Sequence, residues 1–161
     1  MKNGAGKVHL GSENSRVSIG TCIIWNTRLL QLHHKEKILL PPIKKLELHE
    51  YIFDKLIGGL VIPLQRRVIT CYFTYQGVPL RVTSVHADNI GGLTHRIKQI
   101  VFLKSRLDRE KVKYEIVCGD FNTFDLLKTG KEKKALQKIF GEEFLDASEK
   151  IDWPQIYIML T

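Results

Sequence analysis

The stretch YEIVCGDFNT, Tyr114 to Thr123, is an apolar run that breaks at a glycine into a polar cluster. Tyr114 to Cys118 has the composition of a short buried strand ending at Gly119. A polar cluster at the C-terminal end of a strand stands where open α/β sheets place their ligands. In extended backbone, Asp120 and Asn122 would point to one face and Phe121 to the other. A carboxylate beside an amide suits a phosphate site. The first can orient and polarise a water, and the second can donate hydrogen bonds to a developing oxyanion. Taken alone, the same residues read as an Asx turn capping a strand.

Working outward, the preceding segments give that strand its neighbours. Arg67 to Tyr75 and Val78 to His86 are β-rich runs separated only by Gln76-Gly77, the signal of an antiparallel hairpin. Asp88 to Gly92 then supplies a turn. Beyond it Leu93, Ile97, Ile100, Val101 and Leu107 fall near one helical face, with Thr94 as the expected N-cap. His86 thus ends a strand 34 residues before Asp120. A histidine there is by itself a structural residue. With a crossover helix between, however, His86 and Asp120 would meet at one edge of neighbouring strands.

The rest of the chain is less decided. Residues 1–16 read as a flexible end, and 17–161 as one domain. Val17 to Trp25 reads as a strand, and Asn26 to Lys45, with its Pro41-Pro42 break, as loop with some extended structure. Leu46 to Ile62 fits neither period, and Gly58-Gly59 argues against a long helix. Glu132 to Phe140 reads as a Lys-rich helix stopped by Gly141, and Ile151 to Thr161 has strand composition despite Pro154. The order strand, hairpin, helix, strand predicts an α+β (α/β layered) domain.

Composition narrows the class. The chain has 161 residues, enough for one domain with a sizeable core. It carries 25 Lys and Arg against 17 Asp and Glu, for a net charge of +8. His95 to Lys113 alone holds seven basic residues against Asp108 and Glu110. A solvated helix face is preferred there over a nucleic-acid patch. Cys22, Cys71 and Cys118 lie in strand-like stretches with no C-x-x-C pair, so buried, reduced thiols are expected. The first sixteen residues hold no apolar block, and Leu56 to Leu64 is too short to span a bilayer. A cytoplasmic setting without membrane insertion is expected. His33-His34, without a second cluster at ligand spacing, is read as solvated loop rather than a metal site.

Taken together, these motifs resemble those of the endonuclease/exonuclease/phosphatase superfamily, the metal-dependent phosphoesterases. The matching residues are Ser84-Val85-His86, Arg96-Ile97-Lys98-Gln99 and Ile116 to Thr123, with Gly20 to Ile24, Leu40-Pro41 and Arg66-Arg67 in support. The resemblance implies two packed β-sheets flanked by helices, and Mg²⁺-assisted hydrolysis of a phosphodiester or phosphomonoester. It also implies roles: Asp120 would position the water, Asn122 would bind phosphoryl oxygens, and His86 would stabilise the developing charge. Two family features have no counterpart. Glu13, after Ser12, stands too close to the Gly20 strand to be the metal-binding Glu of a Gln-Glu motif. No Ser-Asp-His follows Asp120, since all six histidines lie at or before position 95, and Asp152 is not assigned. The expectation is therefore a truncated or degenerate phosphoesterase domain, inactive as this chain. The alternative is a catalytically inactive module that binds nucleic acid or another polyanion through its basic helix.

Overall fold

A computed structural model describes residues 5–10, 21–44, 46–56, 65–122 and 130–147. Its strands are β1 (Ala5–Leu10), β2 (Thr21–Asn26), β3 (Leu30–Leu39), β4 (Arg67–Tyr75), β5 (Val78–His86) and β6 (Tyr114–Asp120). The helices are α1 (Leu48–Leu56), α2 (Gly92–Leu107) and α3 (Lys131–Phe140). β3, β4, β5 and β6 form one sheet in that order, and β1 pairs antiparallel with β2 in a second.

The hairpin is where the sequence placed it. β4 and β5 pair antiparallel, and Gln76 and Gly77 both adopt positive φ, at 49° and 78°. Two such residues make the turn whose twist matches the flanking strands. β5 then pairs with β6 in parallel, and α2 is the connection between them.

The four-stranded sheet is covered on both faces. On one, Ile38, Leu40, Val68, Val85 and Ala87 pack with Ile100, Leu103 and Leu107 of α2 and with Phe140 of α3. On the other, Ile69, Cys71 and Phe73 of β4 pack with Ile23 and Trp25 of β2, the Trp25 ring meeting Phe73 edge-on at 5.4 Å. The order is therefore helices, four-stranded sheet, two-stranded sheet, which is a mixed α+β fold. Among the described residues β2 packs on β4 and β5, and Tyr114 and Ile116 of β6 are 53% and 50% exposed.

Several expectations need correction. Within Asn26 to Lys45, ten residues form β3, the end strand of the sheet among the described residues. Its alternation is hidden by a register shift between Leu32 and His34. A bulge flips the side chains that follow it to the opposite face. Hence Leu30 and Leu32 pack toward the second sheet, whereas Ile38 and Leu40, of the same parity, pack under the helices. His33 and His34 accordingly sit on this strand, where His33 Nε2 lies 2.6 Å from Thr74 Oγ1 and His34 stacks on Tyr72. Leu46 to Ile62 contains α1. Ala5–Leu10, inside the stretch read as a flexible end, forms β1. Glu13, Asp152 and the Ile151–Thr161 strand lie outside the described residues.

The cap and face of α2 also differ. Gly91, not Thr94, is its N-cap, and the buried face runs through Arg96, Gln99, Ile100, Leu103 and Leu107. Val101 is 49% exposed. Apolar periodicity missed this face because two of its inward residues are polar. Of the cysteines only Cys71 is buried; all three are free thiols, but Cys22 and Cys118 are exposed.

Candidate functional site

The parallel pairing of β5 with β6 fixes the site. Its register sets Ser84 opposite Cys118 and His86 opposite Asp120. Residues directly opposite in adjacent strands share a sheet face, with strands about 4.8 Å apart. His86 and Asp120 therefore stand side by side at the C-terminal end of the strand pair, as the crossover order predicted.

Backbone and side-chain bonds lock these two ends together. The Ala87 N–H donates to the Asp120 carbonyl at 2.9 Å. Asn122 Nδ2 donates to the Ala87 carbonyl at 2.8 Å, and the Asn122 N–H donates to Asp120 Oδ1 at 2.8 Å. The last bond is the Asx turn that the sequence offered for this cluster. Asn122 reaches this position at φ 50°, a left-handed conformation that Asn tolerates better than most residues. It departs from the extended run expected of Asp120 to Asn122: the Asn122 side chain is buried and turned back onto Ala87. Phe121 does pack on the helix side, edge-on to Phe140.

Gly119 makes the close pairing possible. Its φ is +130°, and a Cβ there would lie 2.0 Å from the Val85 carbonyl oxygen. Only glycine allows β6 to lie this near β5 immediately before Asp120.

Behind His86 lies a group whose organising role the sequence did not show. Asp88 is buried, and its carboxylate has three partners. Arg66 Nε donates to Oδ1 at 2.9 Å, while Gln99 Nε2 donates to Oδ2 at 2.7 Å. His95 Nε2 lies 2.9 Å from Oδ2, which places the ring proton on that nitrogen. Gln99 also donates to the Pro41 carbonyl at 2.9 Å and accepts the Asp88 N–H at 3.0 Å. Farther along, the Gly91 N–H donates to Glu50 Oε1 at 2.7 Å, tying α1 to the entry of α2. The segment His86-Ala87-Asp88 is thus bonded to β6 on one side and to α2 on the other. A signal for this was present in the spacing of His86-x-Asp88 to Arg96-x-x-Gln99, but the partner Arg66 lies 22 residues upstream of Asp88.

Burial and the neighbouring Arg66 cation push the His86 imidazole below its ordinary range, against the opposing pull of Asp120 and Asp88. At neutral pH it is uncharged, one nitrogen able to donate and the other to accept.

The described residues do not make up a magnesium shell. Among them no group of three or more His, Cys, Asp or Glu side chains is placed to hold a metal ion. Asp88 is already held by Arg66, His95 and Gln99, which among the described residues leaves Asp120 as the carboxylate at the strand ends. The basic residues of α2 are in part engaged as well. Arg106 pairs with Glu36 at 3.0 Å, and Lys104 pairs with Asp108 while lying over the Phe144 ring.

This architecture has relatives among solved structures. It matches an endonuclease/exonuclease/phosphatase family protein from Bacteroides thetaiotaomicron with a TM-score of 0.59 and 18% identity, over 84% of this chain and 46% of that one. The fold is that of the endonuclease/exonuclease/phosphatase proteins. D. rerio TDP2, solved with a single-strand DNA product, matches at TM-score 0.56 and 15% identity over 85% of this chain and 43% of its own. A mannosyl-6-phosphatase of Bacteroides thetaiotaomicron matches at 0.57 and 16%, over 83% and 48%. The chain spans less than half the length of each of these proteins. No family model matches the sequence, and no curated protein does. At such identities the endonuclease/exonuclease/phosphatase likeness is one of fold. Among the described residues no helix is long and apolar enough to cross a membrane.

Proposed function

We propose that the paired ends of β5 and β6 form the phosphate-binding side of a phosphoesterase-type site, with His86, Asp120 and Asn122 as its reactive group. The observation that carries this reading is the register: His86 opposite Asp120, with Asn122 bonded across to Ala87. Neutral His86 donates a hydrogen bond to a phosphoryl oxygen and takes up part of its developing charge. Asp120, exposed and with Oδ1 holding the Asn122 N–H, orients a water for in-line attack. Asn122 uses one amide hydrogen to hold Ala87, so its share is first to fix the two strand ends and second to offer its remaining hydrogen.

The substrate class is a phosphodiester or phosphomonoester, in keeping with neighbours that include a DNA-bound protein and a sugar phosphatase. Turnover by this chain alone is negligible, because its sequence lacks a Gln-Glu motif and a Ser-Asp-His motif. The magnesium ion that the resemblance implies is not given a step, since the described residues do not form its shell.

The test has two arms. Inorganic phosphate should shift the NMR signals of His86 and Asn122, and no shift in either would remove the site. With Mg²⁺ present, bis-p-nitrophenyl phosphate, DNA and RNA should all be left intact. Robust hydrolysis that Asp120→Ala abolishes would show instead that the chain is complete as a catalyst.

A further inference from the structure

Asp88 is a buried carboxylate on which three side chains converge, two from α2 and one from the segment before β4. Burying a carboxylate is costly unless it is fully paired. Here the pairing is complete, with one oxygen on Arg66 and the other shared by His95 and Gln99. The three donors differ in what they fix. Gln99 also bonds the backbone of Asp88 and Pro41, so it fixes where the carboxylate sits. His95, one turn before Gln99 on α2, closes the second oxygen. Arg66 enters from the residue before β4, and its Nε takes the first.

The Arg66 contact has a geometric consequence. A guanidinium held through Nε has its plane and direction set, and its two terminal nitrogens remain as a fork for another acceptor. Asp88 lies two residues beyond His86, so a cation clamped on it stands beside the strand ends. The depressed basicity of His86, to which Arg66 contributes, agrees with that nearness.

We propose that Arg66 is a further anion-binding residue of this site and that Asp88 is the positioning residue that aims it. This rests on the reading of the β5–β6 ends as a phosphate site and adds a fixed positive charge to it. Arg66 meets a phosphoryl oxygen with its terminal nitrogens while Asp88 keeps Nε. A charge-assisted contact of this kind adds more than a neutral one, and its geometry is preset before the anion arrives.

The experiment is an inorganic phosphate titration of the full chain, followed through the NMR signals of His86 and Asn122. Arg66→Gln should weaken phosphate about tenfold, the low end for one charge-assisted hydrogen bond. The same substitution made in an Asp88→Asn background should cost less than about threefold, because the fork is no longer aimed. Equal losses in the two backgrounds would show that Asp88 does not position Arg66. Should Asp88→Asn fail to fold, Arg66→Lys decides the matter. A lysine keeps the charge but cannot hold Asp88 and a phosphate through separate nitrogens of one plane, so a loss of about fivefold is expected. Wild-type affinity in Arg66→Lys overturns the aimed fork. Wild-type affinity in Arg66→Gln removes Arg66 from the site and leaves the His86–Asp120–Asn122 reading standing. If phosphate moves neither His86 nor Asn122 in the unmodified chain, that reading itself falls, and this proposal falls with it.

Discussion

Gln99→Met removes hydrogen bonds from the centre of the molecule while leaving its volume nearly unchanged. Methionine matches glutamine in length and lack of branching, so the cavity and overpacking contributions are small. Gln99 is fully buried and makes three bonds: to the Pro41 carbonyl, to Asp88 Oδ2 and from the Asp88 N–H. Two are ordinary, at about 1 kcal/mol net each, and the one to the carboxylate contributes about 1.5–3 kcal/mol. Their loss destabilises the fold by about 4 kcal/mol, a large part of the ~5–15 kcal/mol that such domains have. Urea unfolding monitored by circular dichroism reads this directly. With a slope of about 2 kcal/mol per molar, the midpoint should fall by about 2 M. Lys98→Met, at the exposed neighbouring position, serves as the reference and should shift it little. A loss under about 1 kcal/mol in Gln99→Met, with a cooperative transition retained, would refute the reasoning. It would mean that Pro41 and Asp88 find equivalent partners without Gln99.

Three further outcomes follow from other parts of the structure. Gly119→Ala should cost about 3 kcal/mol or more, or abolish folding, since its φ of +130° and the nearby Val85 carbonyl both exclude a side chain; thermal melting checks it. His86 should make stability fall as pH drops, because the unfolded chain takes up its proton near the ordinary pKa of about 6.5 while the folded chain resists. That share is present above this value and is lost as pH falls toward the lowered folded pKa, so His86→Gln should flatten the difference between urea midpoints measured at pH 7.5 and 5.5. DNA should bind weakly near physiological salt, given that Arg106 and Lys104 are paired with carboxylates; a micromolar affinity abolished by Arg106→Glu with Arg109→Glu would contradict this.

What the sequence revealed and concealed follows a physical division. Local signals were legible: Gln76-Gly77 specified the hairpin turn, and Gly119 marked the end of β6 with its polar cluster. Long-range pairing was legible only through the order of parts, and that order did bring His86 opposite Asp120. β3 was concealed because a bulge changes the parity of its apolar residues, so no single alternation runs through Leu30 to Leu39. The inward face of α2 was concealed because Arg96 and Gln99, polar by type, are buried. Asp88 read as a turn residue for the same reason: its partners Arg66, His95 and Gln99 come together only in the folded chain.

The hairpin turn at Gln76-Gly77 lies at the far end of β5 from His86. Nine residue steps at about 3.3 Å each separate Gly77 from the histidine at the strand end, roughly 30 Å of rigid ladder. That is well beyond a Debye length in physiological buffer, so a charge placed at one end is screened from the other. Both turn residues and Tyr75 are exposed. A fluorophore, an affinity handle or a surface tether attached at Gln76 would therefore report on or hold the protein without touching the strand ends. New chain termini opened there would likewise leave the β5–β6 pairing and its crossover helix in one continuous segment.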